Sequence, residues 1–197
     1  MGAVMKVSKQ QAAANRERIL VEAGRLFRER GLAGVGVDAL AEAAGLSHGA
    51  LYSRFGSKEQ LAVEALTEML ARSAEALLPQ DGSPQDAALE TLVVRYLSAR
   101  HRDAPGGGCA MAALAAEVPR HGPALRAALT AGLRGFADRL AGVIRRGRRQ
   151  PPEDEALAVI ATLVGSLVLA RAVDDPALSD RILAAGRAHL SQGGNAA

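Results

Sequence analysis

The segment GLSHGALYSRFGSKEQL, residues 45–61, gathers side chains suited to contact with a polyanion. It holds two of the five aromatic residues of the chain, Tyr52 and Phe55, together with His48, Arg54 and Lys58. A tyrosine hydroxyl or a guanidinium group donates to phosphate oxygens, and polar side chains on a helix reach base edges in the major groove. A lysine in the first turn of a helix adds a cation beside backbone N–H groups that already favour an anion. These residue types at this spacing predict a nucleic-acid contact.

The distribution of charge along the chain points the same way. The net charge is +3, and the first 60 residues hold nine Lys and Arg against six Asp and Glu, whereas the remaining residues hold fifteen of each. An excess of positive charge at one end favours a polyanionic partner there, although an excess this small also arises by chance. The arginine run at 145–149 is open to two interpretations, a second nucleic-acid patch or a solvated helix end, and we favour the second.

Helical periodicity runs through the whole sequence, and the segments between the periodic stretches are rich in Gly, Pro or charge. Much of the apolar half of the chain is Ala and Leu, with little of the alternation that is typical of strands. The sequence therefore predicts an all-α protein of about nine helices. They span residues 10–30, 37–44, 47–54, 57–77, 85–101, 107–118, 123–146, 152–172 and 176–190.

Two of the short predicted helices, joined by a turn at Gly45, have the pattern of a helix-turn-helix. Ala41 is small enough for the two helices to cross closely, and Leu51 and Phe55 share the face that points toward the core. The opposite face carries small residues, which let a helix enter the major groove, bordered by groups that hydrogen-bond. The residues predicted to contact DNA are Gly36, Ser47, His48, Gly49, Ala50, Tyr52, Ser53, Arg54 and Lys58.

With these residues, the stretch GVGVDALAEAAGLSHGALYSRFGSKEQL (34–61) resembles the DNA-binding module of the tetracycline-repressor (TetR) family of bacterial transcription regulators. About ten positions across residues 12–65 agree with the family in residue type and spacing. The sequence departs from the family pattern at Val35 and Gly36, where a Thr or Ser is usual, and at His48, where Lys or Arg is frequent.

The resemblance implies a helix-turn-helix domain over residues 1–60 and a helical domain over 61–197 that binds an effector and forms the dimer. It implies a cytoplasmic homodimer that represses transcription from a palindromic double-stranded DNA operator and leaves it when a small molecule binds. The residues themselves show no cofactor motif and no metal-ligand spacing among the four histidines, so we expect no enzymatic activity, no metal, no cofactor and no membrane partner. The N-terminus lacks the apolar segment of a signal peptide, in line with a cytoplasmic location.

The longest apolar run, residues 156–170, is shorter than the roughly 20 residues that span a bilayer. Two interpretations remain, a helix buried within one subunit or a dimer interface, and we favour the interface. The residues predicted for the interface are Ala158, Ala161, Gly165, Ser166, Leu178, Ile182, Leu183 and Leu190.

Ligand sites are apolar cavities with a few convergent polar groups. The candidates within the apolar helices are Tyr96, Arg100, Cys109, Met111, Glu117, His121, Phe136 and Arg171. Only two aromatic residues follow residue 60, so we expect an aliphatic cavity that does not stack a large planar ligand well.

Cys109, the single cysteine, excludes an internal disulfide and a cysteine-rich zinc site. It is predicted in the first turn of a helix behind three glycines. Some family members sense electrophiles or oxidants with a cysteine in a similar setting, but a small buried side chain is the interpretation we favour.

Two further hypotheses stay open. One is an enzyme with Cys109 as nucleophile and His101 or His121 as base, which is disfavoured because no acid is placed to orient either histidine. The other is an architectural or scaffolding dimer that keeps the helix-turn-helix and binds no effector.

Overall fold

A computed structural model describes residues 9–78, 85–144 and 151–192, and every regular element in these ranges is a helix. The prediction of an all-α protein with an N-terminal helix-turn-helix is confirmed. The α-helices are α1 (Lys9–Arg30), α2 (Val37–Ala43), α3 (His48–Phe55), α4 (Lys58–Leu77), α5 (Gln85–Tyr96), α6 (Ala99–Asp103), α7 (Ala110–Leu114), α8 (Pro123–Val143), α9 (Pro152–Ala172) and α10 (Pro176–Gln192). Short 3₁₀ helices lie at Pro105–Gly107 and Val118–Arg120.

The first three helices enclose a small core. Ile19 and Phe27 of α1 are almost fully buried, as are Leu40 of α2 and Leu51 of α3. These side chains recur at helical spacing, so each helix buries one face and leaves the other to solvent. The core fixes the position of α3 and therefore of everything that α3 presents outward.

Helix α4 connects this unit to the rest of the molecule because it packs on α1 at one side and on α8 at the other. The α4–α8 approach depends on Gly132, since a Cβ there would overlap the Leu70 side chain. Helices α8, α9 and α10 pack in sequence beside α4, and Leu140, Leu163 and Leu167 are buried among them.

The prediction of one helix over residues 85–101 is wrong, because α5 ends at Tyr96 and a separate helix, α6, begins at Ala99. Leu97 is fully buried, and its carbonyl accepts from Arg187 of α10 instead of continuing the helix. Ser98 then caps α6, since its hydroxyl accepts from the His101 N–H at 3.2 Å. A serine that caps a new helix and a carbonyl paired across the fold together explain the break.

The prediction of one helix over residues 107–118 is also wrong. The three glycines there form a 3₁₀ turn and an extended residue, and α7 has only five residues. Cys109 is the N-cap of α7 rather than a residue of its first turn. The prediction for 123–146 extends beyond Val143, and its last two residues, 145 and 146, lie outside the described part of the chain, as does the arginine run at 145–149.

Helix α9 is long and apolar enough, by length and composition, to cross a membrane, with a mean hydropathy of 1.7 over its most apolar window. Only 33% of that window is buried within the single chain. Buried Val159, Leu163 and Leu167 face α8 and α10, whereas Leu157 and Leu169 on the other side are 46% and 57% exposed. The helix therefore has one apolar face that the single chain leaves uncovered.

Candidate nucleic-acid interface and ligand cavity

The turn between α2 and α3 is built by local hydrogen bonds and one glycine. Gly45 has a φ of +64°, a left-handed conformation that a side chain would strain. Its N–H donates to Glu42 O at 2.9 Å, and the Leu46 N–H donates to Ala41 O at 2.8 Å, so the end of α2 is satisfied before α3 begins. This tight closure sets the angle between the two helices.

Helix α3 begins and ends where the sequence predicts. The Ser47 hydroxyl accepts from the Ala50 N–H at 3.3 Å, and Gly56 at a φ of +72° terminates the helix. Phe55 is 3% exposed, and the Arg16 guanidinium of α1 lies 4.8 Å from its ring centroid. This cation–π contact with α1 was missed by sequence reasoning, which considered only apolar partners for Phe55.

Seven of the nine predicted DNA-contacting residues lie on α3 or at its N-cap, Gly36 is the N-cap of α2, and Lys58 begins α4. Within this set, Ala50 and Lys58 are half-buried and the others are exposed, including Tyr52 at 41%. A Cβ at Gly49 would meet no atom within 4 Å, so the centre of this face is flat and open. The exposed face that carries Ser47, His48, Gly49, Tyr52, Ser53 and Arg54 is called the α3 outer face below.

His48 has two neighbours that hold it in place. Its Nδ1 lies 2.8 Å from Asp38 Oδ1 of α2, and its ring stacks on Tyr52 with centroids 5.2 Å apart and planes 12° apart. Because a carboxylate accepts, Nδ1 is the donor, and Nε2 is the ring nitrogen left for another partner. Sequence reasoning did not identify Asp38 as a partner of His48. The only indication in the sequence was an acidic residue in the first turn of α2.

The start of α4 completes the interface. The Ser57 hydroxyl accepts from the Gln60 N–H at 3.0 Å, so Ser57 caps the helix. The Gln60 side-chain amide donates to Glu64 at 3.0 Å. Lys58 therefore stands in a capped first turn beside α3, where an anion is favoured.

Four of the predicted pocket residues line one small cavity, which we call the inner chamber. They are Tyr96, Cys109, Met111 and Phe136, and their neighbours in the wall are Ser73, Leu77, Ile160, Leu163 and Val164. Four of the nine lining residues are aliphatic, and the wall also holds both aromatic residues that follow residue 60, Tyr96 and Phe136.

A larger open groove of about 620 Å³, the outer groove, adjoins the inner chamber. Ser73, Leu77 and Cys109 line both spaces, so the two meet at these residues. Arg100, another predicted pocket residue, lines the outer groove together with Val94 and Arg95.

The structure places Glu117, His121 and Arg171 away from the inner chamber. The Glu117 carboxylate accepts from the Leu32 N–H at 2.8 Å, just beyond the end of α1. His121 is half-buried and follows the second 3₁₀ helix. Arg171 donates to the His101 carbonyl at 2.6 Å and to the Arg102 carbonyl at 3.1 Å, which fixes α6 against α9. The contacts of Glu117 and Arg171 are therefore structural.

Both ring nitrogens of His101 are occupied. Nδ1 donates to the Tyr96 carbonyl at 2.7 Å, and Nε2 accepts from the Cys109 N–H at 3.0 Å. Burial lowers the pKa of His101 below its usual value. The imidazole is therefore a neutral bridge between the end of α5 and the N-cap of α7.

A direct contact joins the 3₁₀ turn before Cys109 to the DNA-binding unit. Arg28 of α1 donates through Nε to the Gly106 carbonyl at 2.7 Å. A Cβ at Gly106 would overlap the Glu29 carboxylate, so this turn lies directly on α1. Burial lowers the pKa of the Arg28 guanidinium.

Two of the eight predicted interface residues, Leu183 and Ser166, pack within the single chain, and the other six are at least partly accessible in it. Ala158, Ala161 and Leu178 are exposed, and Gly165, Ile182 and Leu190 are half-buried. Leu183 is only 2% exposed and belongs to the core of the single chain. Ser166 faces α10 of the same chain, where its hydroxyl lies 2.6 Å from the position of a Cβ at Gly186.

The first three helices have the features of a helix-turn-helix DNA-binding protein. The third helix is capped, its inner face is anchored in the core, and its exposed outer face is polar. Two family models match this chain, "Bacterial regulatory proteins, tetR family" over residues 19–65 and "Tetracyclin repressor-like, C-terminal domain" over residues 86–185. The chain belongs to the TetR family, and it is a DNA-binding transcriptional regulator. No curated protein matches it.

Solved structures of this family share the fold. The reduced form of Escherichia coli NemR has a TM-score of 0.78 and 24% identity, over 91% of this chain and 96% of that one. A TetR-family regulator from Agrobacterium tumefaciens has a TM-score of 0.77 and 21% identity, over 91% and 97%. A regulator from Cytophaga hutchinsonii has a TM-score of 0.75 and 23% identity, over 95% and 97%. At these identities the likeness concerns the fold.

Proposed function

We propose that the protein is a cytoplasmic homodimeric repressor that binds a palindromic operator through the α3 outer face and is released by a small-molecule effector. The observation that carries the proposal is the α3 outer face itself. Its flat centre at Gly49 is bordered by Tyr52 and Arg54, and Lys58 follows in the next capped turn. This arrangement suits a helix that enters the major groove while its borders reach base edges and phosphates.

The homodimer is supported by the uncovered face of α9. Leu157, Ala161, Val168 and Leu169 follow one another at helical spacing and are all exposed. Leu178 at the start of α10 is 40% exposed. An apolar face of this length on a DNA-binding protein is best covered by a second copy, because two-fold symmetry also supplies the two recognition helices of a palindrome.

Release by an effector is supported by the contacts between the cavity and α1. Cys109 lines the inner chamber, and three residues earlier the Gly106 carbonyl accepts from Arg28 of α1. A ligand that displaces the chamber wall therefore acts on residues that hold the DNA-binding unit.

The geometry disfavours an enzyme that uses Cys109. His101 accepts the Cys109 backbone N–H at Nε2 and donates from Nδ1, so neither nitrogen is free to take a thiol proton. The remaining alternative is a dimer that binds DNA but no effector. It differs from our proposal only in its response to small molecules, so the test must include them.

The test is a gel-shift titration of the purified protein on the DNA upstream of its own gene, at 50 and 200 mM salt, with and without a panel of apolar compounds. We expect a discrete complex that weakens steeply with salt and is lost with at least one compound. Binding that no compound affects would favour the architectural dimer. The absence of any complex at low salt would contradict the proposal.

A further inference from the structure

The large hydrophobic side chains that the fold leaves exposed are not scattered over the surface. Seven are exposed in the described part of the chain. Five belong to the α3 outer face or to the uncovered surface of α9 and α10, and these are Tyr52, Leu157, Val168, Leu169 and Leu178. The other two, Val94 of α5 and Val21 of α1, are 54% and 39% exposed, and each lines a concave space. Accessible apolar side chains in a concave space are typical of a binding site.

The spaces that hold these two valines are continuous. Val94 lines the outer groove, and Val21 lines a space of about 200 Å³ between α1 and α4, which we call the α1 crevice. Four residues line both spaces, and these are Ser73, Ala76, Gly107 and Gly108. The outer groove, at about 620 Å³, has the size of a small-molecule site, whereas the inner chamber has only about 10 Å³ open. A ligand of ordinary size therefore fits the groove and the crevice.

The charges in the outer groove are of one sign. Arg95 and Arg100 line it, and no acidic residue does so in the described part of the chain. Neither guanidinium makes a hydrogen bond or an ion pair with another described residue. His101 also lines the groove, but both of its ring nitrogens are occupied. Two unneutralised guanidinium groups beside apolar side chains match an amphipathic anion, and their planar donors suit a carboxylate.

The charges in the α1 crevice are paired, in contrast to those in the outer groove. Arg72 donates to Glu68 at 2.6 Å, and Arg28 donates to the Gly106 carbonyl at 2.7 Å. The apolar residues of the crevice are Leu20, Val21, Met69 and Ala76. The crevice therefore offers a place for an apolar chain rather than for a second charged group.

Helix α4 forms one side of both spaces and gives the length of the path between them. Leu77 lines the outer groove and Met69 lines the crevice. At a rise of about 1.5 Å per residue, the path from one to the other is about 12 Å long. An extended alkyl chain advances about 1.3 Å per carbon, so roughly ten carbons cover this distance. A shorter chain would fill the outer groove alone.

From this geometry we infer that the effector is a linear aliphatic carboxylate of about ten carbons, which binds Arg95 and Arg100 through its carboxylate and extends over Ala76 to Val21 of α1. The inference rests on the proposed function for the word effector, and it adds the chemical class and the residues that select it. The end of the chain enters the contact between α1 and α4, which positions the DNA-binding unit. Chain length therefore decides whether a bound carboxylate also releases DNA.

The test compares decanoate with a shorter acid, hexanoate, and with two molecules of equal chain length, 1-decanol and decylammonium. Calorimetry gives the affinities, and the ¹³C-methyl NMR signals of methionine give the location. Met69 lines the crevice, and Met111, in the inner chamber, is the internal control. We expect decanoate to shift Met69 alone, hexanoate to bind without shifting it, 1-decanol to bind at least about tenfold more weakly than decanoate, and decylammonium not to bind.

Charge reversal tests the carboxylate site. The double variant Arg95→Glu with Arg100→Glu should weaken decanoate binding at least about tenfold and leave 1-decanol binding unchanged. The double variant Arg126→Glu with Arg134→Glu makes the same change of net charge at exposed positions of α8, which line neither space. It is the matched control and should bind decanoate as wild type does.

The variant Ala76→Phe tests the path of the chain, because Ala76 is exposed and lines both spaces. A phenylalanine there obstructs the passage from the groove to the crevice. We expect hexanoate to bind as before, and decanoate to lose both the Met69 shift and its effect on DNA. A Met69 shift that persists in this variant would contradict the proposed path.

Three results would overturn the carboxylate site. They are the absence of decanoate binding to wild type, equal affinity for decanoate and 1-decanol, and an equal loss of decanoate binding in the two double variants. Binding is measured without DNA, so it decides the site even if no complex forms on the upstream DNA and the proposed function fails. In a gel shift with the same samples, decanoate that binds and leaves the DNA complex intact would refute its role as effector, while release by other compounds would still support the proposed function.

Discussion

Tyr52 and Phe55 are three residues apart on α3 and face opposite sides. Phe55 is 3% exposed and holds α3 to α1 through the Arg16 contact, whereas Tyr52 is 41% exposed and stacks on His48. The stack and the Asp38 carboxylate fix the imidazole, so His48 presents Nε2 in a defined direction. We propose that His48 reads a base edge, because a side chain that is held before DNA arrives loses less entropy on binding.

The Tyr52 hydroxyl is expected to contact a phosphate or a base edge. Tyr52→Phe keeps the ring and its stack and removes the donor, so operator affinity should fall about five- to tenfold, or about 1–1.5 kcal/mol. Fluorescence anisotropy with a labelled operator measures this change. The free energy of unfolding should change by less than about 0.5 kcal/mol because the side chain is exposed. Unchanged affinity would remove Tyr52 from the interface.

The reactivity of the Cys109 thiol shows whether it acts as a sensor or is a buried part of the core. It is 3% exposed, and its backbone N–H is bound to His101, so we expect native protein to react with iodoacetamide at neutral pH at least about tenfold more slowly than protein in urea. Mass spectrometry of timed samples gives both rates. Rapid labelling of the native protein would favour the sensor interpretation instead.

At the scale of elements, the joint between α5, α6 and α7 depends on one neutral imidazole. His101 joins the Tyr96 carbonyl to the Cys109 N–H and places α7 against the end of α5. The same joint carries Arg171, whose guanidinium caps the His101 and Arg102 carbonyls. The position of the inner chamber wall therefore depends on the protonation state of His101.

The pKa of His101 is lowered by burial, whereas in the unfolded chain it returns to about 6.5. Between these two values the unfolded chain binds more protons, so the free energy of unfolding rises with pH and falls as the pH drops below about 6.5. We expect wild-type protein to lose more stability between pH 7.5 and 5.5 than His101→Gln, in urea titrations. At pH 7.5 the variant should be about 1–2 kcal/mol less stable because two buried bonds are disturbed.

His189→Gln is the matched control for this pH dependence, since His189 is exposed on α10. It should keep the wild-type dependence of stability on pH. Equal pH slopes for wild type and His101→Gln would show that His101 does not carry the effect.

The limits of sequence reasoning are clearest at the same joint. Helices α1 to α4 were predictable because their ends are encoded locally, by Ser47, Ser57 and the glycines with positive φ. The break after Tyr96 was not, because it depends on Arg187, 90 residues away, which pairs with the Leu97 carbonyl. The Asp38–His48 pair and the connection of Glu117 to Leu32 are likewise long-range or inter-helix contacts that periodicity does not encode.

At the scale of the molecule, a dimer formed through the uncovered face of α9 would also supply the two α3 helices that a palindrome requires. A palindrome needs two α3 helices about 34–36 Å apart or a multiple of that, and only a fixed dimer supplies them. The exposed side chains Leu157, Val168 and Leu169 are the surface that such a dimer would bury. Dimer formation and tight DNA binding should therefore be lost together.

Leu169→Glu puts a charge on this surface at its most exposed leucine, since Leu169 is 57% exposed in the single chain. Two-fold symmetry places the change in both copies, so dimerisation should weaken by at least about 2 kcal/mol per copy. Size-exclusion chromatography with light scattering should give a dimer for wild type and a monomer for the variant. Val94→Glu changes a residue that is 54% exposed on α5 and should remain dimeric. A dimeric Leu169→Glu variant would place the interface elsewhere.

The most direct test of the account is selection of binding sites for the full-length protein from a pool of random-sequence duplexes. We expect a two-fold symmetric sequence with two half-sites on the same face of the DNA, bound at 100 mM salt at least about 1,000-fold more tightly than unselected DNA. Leu169→Glu should recover at most a single half-site. Enrichment of no sequence, or of an asymmetric one bound equally by wild type and Leu169→Glu, would contradict the account.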